Sequence, residues 1–255
     1  MKTSRLLQTT ILSVLLLCSV SRVLADDAAT NKWVSSVAAG LTLTSGNANN
    51  LLATLVGATD RKWGPAAANE FTLGADLAYG TSKIPPATSN TVTANLIHGF
   101  MQYNRLFTER FYGFARLEGR HDEVADLQYR ITTSGGAGYY FIKDTNTDLS
   151  LEVGPGYVVQ EQAGIYGNYM TVRFGQKFHQ VLSDRARLWE TAEYAPQVND
   201  FNNYVVNVVV GVDADLTKDK KFSLQSYVTD CYTSEPAAGK KHADLTWVTA
   251  IAYKF

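Results

Sequence analysis

The sequence predicts an all-β fold: a single antiparallel transmembrane β-barrel of about twelve strands with up-and-down topology. Three observations lead to this prediction: a C-terminal segment that alternates apolar and polar residues, an N-terminal segment typical of exported proteins, and a series of similar alternating segments between them. Side chains on a strand point to opposite faces at successive residues, so a period of two indicates strands with one apolar face.

The C-terminal segment 245–255 has the clearest strand pattern. Large apolar and aromatic residues occupy one of its faces, and small or polar residues occupy the other. A last strand that ends in an aromatic residue is typical of outer-membrane barrels, whose strands need about 9–11 residues to cross the bilayer. We predict that four residues of the apolar face form the signal for membrane insertion: Trp247, Ile251, Tyr253 and Phe255.

The N-terminal segment 1–25 has the features of a secretory signal peptide. Lys2 and Arg5 precede an apolar run over 6–17, and small residues precede a cleavage site before Asp26. The apolar run is too short to span a bilayer core of about 30 Å as a helix. We therefore expect this segment to direct export and to be removed.

The mature chain, residues 26–255, is long enough for one domain. Removing the signal takes away three basic residues and no acidic ones, which leaves 20 Lys and Arg against 24 Asp and Glu and a net charge of −4. This balance argues against nucleic acid as a partner, because phosphate binding requires a basic surface. Cys231 is the only cysteine outside the signal, so an intramolecular disulfide is impossible.

Alternating segments separated by Gly, Pro, Asn and Asp fill the mature chain. We predict strands over 33–45, 51–63, 70–82, 91–106, 111–121, 127–141, 148–160, 169–181, 186–197, 203–215, 221–233 and 243–255. An even number of strands places both termini in the periplasm, together with the connections 64–69, 107–110, 142–147, 182–185 and 216–220. The other connections, which include 83–90, 161–168 and 234–242, are then expected outside the cell.

The alternation also assigns residues to the lipid-facing and lumen-facing sides of the predicted barrel. Charged residues of four consecutive strands share the lumen-facing positions: Arg116, Glu118, Arg120, Arg130, Glu152, Arg173 and Lys177. They fit a charged constriction that selects small solutes by sign, and they equally fit a salt-bridged network that fills a closed barrel. The sequence leaves both interpretations open.

Aromatic residues and glycines have positions that fit a barrel wall. Aromatic residues near strand ends suit interfacial girdles, and five have such positions: Trp33, Trp63, Tyr79, Tyr112 and Trp189. Five glycines lie on two neighbouring strands: Gly135, Gly136, Gly138, Gly154 and Gly156. We expect them to permit sharp curvature or to admit a bulky inward neighbour, such as Tyr140 or an arginine.

The sequence predicts neither a metal site nor a cofactor. The four histidines are His98, His121, His179 and His242. None of them lies within four residues of another, so a structural zinc site has no support. One polar connection has three carboxylates that could bind calcium, those of Asp122, Glu123 and Asp126. Such groups are usually just solvated.

From the fifth predicted strand onward, the order of short motifs resembles a bacterial family of unknown function described as salt-induced outer-membrane proteins. The motifs are Arg116–Glu118, Arg120–Glu123, Tyr129–Arg130, Gly135–Tyr139, Leu149–Tyr157, Leu188–Tyr194 and Lys254–Phe255, and Thr44–Asn47 fits at the start. The resemblance covers nearly the whole mature chain. It implies a β-barrel in the outer membrane and brings no established reaction, ligand or catalytic residue.

The sequence therefore predicts a barrel in the outer membrane of a diderm bacterium. We expect either a narrow pore for ions or small solutes, or an envelope-stress or osmotic-response barrel with a filled lumen. The expected partners are outer-membrane lipids, lipopolysaccharide and the barrel-assembly machinery. A lipid-modifying enzyme is an alternative, but it needs a nucleophile and base on the lipid-facing wall, whereas His98 and His179 are predicted inward. An exported soluble β-sandwich that binds sugar is the other alternative.

Overall fold

The computed structural model describes residues 31–44, 49–83 and 88–255, which form one closed antiparallel barrel of twelve strands. The strands are β1 Trp33–Thr44, β2 Asn49–Trp63, β3 Asn69–Lys83, β4 Thr91–Leu106, β5 Phe111–Asp122, β6 Leu127–Lys143, β7 Thr147–Gln162, β8 Ile165–Ser183, β9 Ala186–Gln197, β10 Asp200–Asp215, β11 Phe222–Thr233 and β12 Ala243–Lys254. Each strand pairs with the next along the chain, and β12 pairs with β1. The predicted fold class, strand number and topology are confirmed. The soluble sandwich alternative is wrong, because the sheet closes on itself.

The two ends of the barrel differ in their connections. We call the end where β1 begins and β12 ends the terminal rim; it also carries the connections 64–68, 107–110, 144–146, 184–185 and 216–221. A short 3-10 turn, Pro65–Ala67, lies in the first of these. The opposite end, the loop rim, carries 123–126, 163–164, 198–199 and 234–242 among the described connections. The assignment of the terminal rim to the periplasm, like the predicted signal peptide at 1–25, is an expectation; the signal lies outside the described residues.

One connection at the loop rim is shorter than expected. The sequence predicts a connection over 161–168, but β7 and β8 continue until Gln162 pairs with Ile165. Only Ala163 and Gly164 form the turn, and both have positive φ, 53° and 74°. Two successive residues with positive φ are the signature of a type I′ hairpin. The polar residues in this part of β7 and β8 therefore belong to paired strands and not to a loop.

The outer surface of the barrel is apolar. On β7 the side chains of Leu151 and Val153 are 42% and 47% exposed, while Glu152 between them is 4% exposed. The same division recurs around the barrel, so large aliphatic side chains cover the outside in a continuous band. A surface of this kind is favourable against lipid and unfavourable against water.

Among the described residues there is no helix of the length and apolar character that a transmembrane helix needs.

Aromatic rings form a belt at each rim. At the terminal rim, Arg61 lies over the rings of both Trp33 and Trp63, at 5.4 and 5.7 Å from the ring centroids. Further ring pairs at this rim are Phe107–Phe111, Tyr139–Phe141 and Phe222–Tyr253. Towards the loop rim, four rings on adjacent strands contact in series: Phe174, Tyr194, Tyr204 and Tyr232. Such belts position a barrel at the two membrane interfaces.

The predicted girdle positions of Tyr112 and Trp189 are wrong. Both side chains are buried inside the barrel, because each shares the inward face of its strand with charged residues. The Trp189 ring occupies the space over Gly211, where a Cβ would collide with it, and its Nε1 donates a hydrogen bond to Asp213 Oδ1 at 3.1 Å. Proximity to a strand end therefore did not decide the direction of the side chain; strand alternation did.

The lumen has two unlike walls. Small apolar residues predominate on the inner face of β12, β1, β2 and β3, where Asp60 and Asp76 are also buried; among the apolar ones are Ala38, Val56, Ala78, Ala250 and Ala252. Charged and large polar residues line the inner face of β4 to β8. Because one wall is made of short side chains, the long ones from the other wall have room to extend across the barrel axis.

Candidate functional site

The most connected group in the lumen is the carboxylate of Glu152 on β7. Its Oε2 accepts a hydrogen bond from Arg173 Nη1 at 2.8 Å. Its Oε1 accepts hydrogen bonds from Gln102 Nε2 at 2.8 Å, Lys177 Nζ at 3.0 Å and Tyr112 OH at 3.0 Å. The carboxylate thus joins strands β4, β5, β7 and β8, and a buried charge with this many partners avoids the cost of an unpaired ion.

Arg173 extends this network to the next strand. Its Nε donates to Glu193 Oε2 on β9 at 2.8 Å, so its guanidinium lies between two carboxylates. The same guanidinium lies over the Phe114 ring at 5.3 Å and against Gly175, where a Cβ would be 2.9 Å from Nη2. Glycine at that position leaves space for the arginine head group.

A second chain of charged groups runs beside the first on β3, β4 and β5. The guanidinium of Arg116 donates to Glu118 Oε2 from both Nη2 at 2.7 Å and Nε at 3.1 Å. Glu118 Oε1 is 3.3 Å from His98 Nε2, and His98 Nδ1 is 2.7 Å from Asp76 Oδ1. His98 therefore lies between Asp76 on β3 and Glu118 on β5.

The two arginines nearest the loop rim have different partners. Arg120 Nη2 pairs with Asp122 Oδ2 at 3.2 Å, and Arg120 Nη1 lies 3.8 Å from Cys231 Sγ on the facing wall. Arg130 donates from Nε to Gln160 Oε1 at 2.7 Å. The contact between Arg120 and Cys231 crosses the lumen from β5 to β11.

We call the set Gln102, Tyr112, Arg116, Glu118, Glu152, Arg173, Lys177 and Glu193 the lumen network. Among the cavities formed by the described residues, three lie along the barrel interior. The outer cavity, about 200 Å³, opens at the loop rim. The middle cavity, about 50 Å³, is lined by Glu118, Arg173 and Glu193. The inner cavity, about 110 Å³, lies towards the terminal rim and is lined by Gln102 and Lys177. Glu152 lines none of these three cavities and joins Arg173 of the middle one to Lys177 of the inner one, so the network separates them.

The structure brings the seven charged residues nominated from the sequence into one lumen. Six of them form ion pairs: Arg116, Glu118, Arg120, Glu152, Arg173 and Lys177. Arg130 bonds to amide oxygens instead. Sequence reasoning missed Tyr112, Gln102, His98, Asp76 and Glu193 as members of the site. Alternation could have found Tyr112, since it shares the face of Arg116 and Glu118, but the pairing of Glu193 with Arg173 has no sequence signal.

Glycines on β6 and β7 fit close contacts rather than a phosphate-binding loop. A Cβ on Gly138 would collide with the ring of Tyr112, and Tyr112 donates to Glu152. The side chain that occupies the space over Gly138 is therefore Tyr112, and not Tyr140 or an arginine as predicted. Gly136 and Gly154 face each other across the β6–β7 pair, where a Cβ on either would collide with the other strand's backbone.

Within 31–44, 49–83 and 88–255, no group of three His, Cys, Asp or Glu side chains is arranged to hold a metal ion. Two of the three carboxylates considered for calcium have protein partners: Asp122 pairs with Arg120 and accepts from the backbone of Ala125, and Glu123 accepts from Asn95.

Two solved structures have the same overall fold. The translocator domain of the autotransporter NalP from Neisseria meningitidis is 14% identical, with 90% of each chain covered and a TM-score of 0.50. An outer-membrane channel from Pseudomonas putida F1 is 8% identical, with 93% of this chain and 100% of that chain covered and a TM-score of 0.52. At these identities the likeness shows the fold alone, and the fold is that of an outer-membrane β-barrel.

Residues 37–255 match the family described as "Protein of unknown function, DUF481", and the chain belongs to that family. The family of unknown function expected from the motifs is thereby confirmed. No curated protein is significantly similar in sequence.

Proposed function

We propose that this outer-membrane barrel is a narrow passage for ions or small solutes, closed in the present conformation by the lumen network. The observation that carries the proposal is the position of Glu152 between the middle and inner cavities, with four donors from three other strands converging on one carboxylate. Polar and charged groups line the lumen on both sides of it, as in pores that replace the hydration shell of a solute.

Rearrangement of a few long side chains is enough to join the cavities. Lys177 and Arg173 both reach Glu152 from β8 through flexible stems, and in the described part of the chain the connections between strands lie at the two rims. In the open form, Arg116, Arg120, Arg130 and Arg173, balanced by Glu118 and Glu152, would set ion selectivity. Rings of charged side chains select permeant ions by sign.

A structural barrel with a filled lumen is the second candidate, and one observation favours it. Glu152, Arg173 and Arg116 are only 4–5% exposed, and each has a partner of opposite charge. Removing one partner of a buried pair typically costs about 3–5 kcal/mol, so such a network can stiffen a barrel without conducting.

Planar-bilayer recording of the refolded protein distinguishes the two candidates. Glu152→Gln keeps the size of the side chain but leaves Arg173 and Lys177 without their shared carboxylate. We expect brief, small currents from the native protein and longer, larger ones from Glu152→Gln. Glu235→Gln, the same chemical change in the exposed 234–242 connection, is the control and should behave like the native protein.

Heat-modifiable migration on a gel establishes that each variant is folded. Folded but electrically silent native and Glu152→Gln proteins would exclude the passage and favour the structural barrel. If currents are present, the double variant Arg116→Ala, Arg120→Ala should shift ion selectivity towards cations, because it removes two positive charges from the lumen.

We infer no enzymatic activity. A lipid-modifying enzyme needs its base on the lipid-facing wall, and His98 and His179 are 1% and 3% exposed on the inner face. A lipid substrate in the surrounding membrane would not reach them. Turnover of phospholipid by the purified protein, lost on substitution of a histidine, would contradict this inference.

The two ends of the chain have proposed roles in export and in assembly into the membrane. We propose that the 1–25 segment directs export and that Trp247, Ile251, Tyr253 and Phe255 are read by the barrel-assembly machinery. All four side chains lie on the outer face of β12 in the finished barrel. Outer-membrane lipids and lipopolysaccharide would then surround the apolar band.

A further inference from the structure

The outer cavity at the loop rim has a composition that sets it apart from the rest of the lumen. Its walls come from the ends of β5 and β11, the start of β6, and the connections 123–126 and 234–242. Four basic side chains line it: Arg120, Arg130, Lys240 and Lys241. The carboxylate among its lining residues is Asp244.

Arg130 is held in this cavity by neutral amide groups. Its Nε donates to Gln160 Oε1 at 2.7 Å, and its Nη2 lies 3.5 Å from Gln162 Oε1. Amide oxygens fix the orientation of a guanidinium but bring no negative charge. Within the described part of the chain, no carboxylate lies at ion-pair distance from Arg130, so its planar fork remains suited to a bidentate carboxylate ligand.

Among the residues that line the cavity, basic side chains outnumber acidic ones. Asp122 pairs with Arg120 just outside the lining, and Asp244 lies on the cavity wall. The lining itself has two arginines and two lysines against Asp244, and Lys240 and Lys241 are exposed on the 234–242 connection. Exposed lysines at a cavity mouth attract anions from solution.

Part of the cavity wall is apolar. Leu127 is buried beneath it, and Val124, Ala125 and Pro236 contribute further apolar surface. A bare inorganic anion would gain nothing from these contacts, whereas an organic anion can place its carbon skeleton there. We propose that the outer cavity binds a small organic carboxylate, with its carboxylate group at Arg130 and its apolar part against Leu127.

The position of the cavity relates this site to the proposed passage. Arg120 and Arg130 line both the outer and the middle cavity, so a bound carboxylate would lie directly above the lumen network. Only the role of the site as an entrance rests on the proposed function; binding itself does not require that the lumen conducts.

Benzoate titrated into the refolded, full barrel in zwitterionic detergent at low salt tests the site, with binding followed by saturation-transfer NMR. We expect a dissociation constant on the order of 1 mM or below. Benzamide, benzylammonium and inorganic phosphate should bind about tenfold more weakly, because each lacks either the carboxylate or the apolar body.

Three variants locate the binding. Arg130→Gln should weaken benzoate binding about tenfold or more, since it removes a charge-assisted bidentate contact. The double variant Lys240→Gln, Lys241→Gln should weaken it to a smaller extent and reduce its salt dependence. The matched control Lys218→Gln, Lys220→Gln makes the same charge change in the exposed 216–221 connection of the opposite rim and should have no effect.

Benzamide or phosphate binding as tightly as benzoate would overturn the proposal, as would unchanged binding in folded Arg130→Gln. If Arg130→Gln does not fold, the lysine pair decides, because both lysines are exposed and unaltered binding in that variant contradicts the site. Benzoate binding to a barrel that never conducts would support the site while excluding the passage. Conduction without benzoate binding would support the passage and exclude the site.

Discussion

At the residue scale, the space over Gly138 determines how the Glu152 carboxylate is held. Gly138 is on β6, and any Cβ there would occupy the position of the Tyr112 ring. Tyr112 in turn donates to Glu152 Oε1. The glycine is therefore required by a neighbouring side chain, not by its own backbone conformation.

We predict that Gly138→Ala destabilises the folded barrel by about 1–3 kcal/mol, the usual cost of forcing extra atoms into a packed interior. It should also displace the Tyr112 hydroxyl from Glu152. Urea unfolding in detergent micelles, followed by tryptophan fluorescence, measures the change. Gly119→Ala is the matched control on β5, because nothing lies within 4 Å of its added Cβ. Equal effects of the two substitutions would show that the contact with Tyr112 does not matter.

The sequence predicted the strand face on which most charged side chains lie, but it did not predict which residues they pair with. Alternation placed Arg116, Glu152 and Arg173 on the inner face of the barrel, because a strand reverses its side chains at every step. It could not pair Arg173 with Glu193, or Arg120 with Cys231, since these pairs depend on the axial height of each side chain and on rotamers that reach across the lumen. Tyr112 and Trp189 were assigned to the girdles for a different reason, because proximity to a strand end was given precedence over alternation.

At the element scale, β12 combines barrel closure with the proposed insertion signal. Ile251, Tyr253 and Phe255 face outward, and Tyr253 packs between the Phe222 and Phe255 rings at 4.9 and 5.9 Å. These rings lie at the terminal rim, where a membrane interface accommodates aromatic side chains.

Phe255→Ala should lower the amount of barrel assembled in the outer membrane of cells while changing the stability of the refolded protein little, because the Phe255 side chain is exposed. Quantifying heat-modifiable protein in membrane fractions measures the first effect, and urea unfolding measures the second. Phe107→Ala provides a control with a similarly exposed ring at the same rim. If both variants assemble equally well, residue 255 is not part of the signal.

Strand boundaries were predicted closely for most elements and missed where polar residues continue a ladder. β9 starts and ends where the sequence places it, whereas β8 starts at Ile165 instead of 169. The extra residues of β8 pair with Gln160–Gln162, polar positions that resemble a loop in composition. Hydrogen bonding between backbones does not require apolar side chains, so composition alone underestimates strands that extend into water.

At the scale of the whole molecule, the barrel depends on one non-local pairing. All other strand pairs join neighbours in the chain, while β1 and β12 come from its opposite ends. Among the described residues this ladder runs from Ser36 to Ala39 opposite Ile251–Lys254, whereas β1 pairs with β2 along its whole length. Two further hydrogen bonds join Ser35 to Phe255, at 2.9 and 3.1 Å.

Cysteines placed at Ala39 and Ile251 should crosslink efficiently in the folded barrel, because these residues are direct partners across the β1–β12 pair. The experiment uses a Cys231→Ser background and compares migration of boiled samples with and without reductant. Pairing Ala39→Cys with Leu245→Cys is the control, since Leu245 lies six residues farther along β12. Crosslinking of the control pair as readily as the partner pair would contradict the register.

The overall architecture was predictable because a meander of adjacent hairpins needs only local information: alternation, turn residues and an even strand count. The interior was not, because the division into an apolar wall and a charged wall depends on which strands face each other after closure. Ala38 and Ala252 appear unremarkable in the sequence; in the barrel they face the side from which the arginines extend.

The short β1–β12 ladder also has a consequence for how the molecule forms. Before Ser35–Ala39 meets Ile251–Phe255, the other eleven pairings produce a curved sheet with two free edges, and lipid offers those edges no hydrogen bonds. Closure therefore has to coincide with entry into the membrane, or the edges have to be occupied by another protein until they meet. Engagement of residues 251–255 closes the sheet into a barrel, and without it the edges of β1 and β12 are an open template for strands of neighbouring molecules.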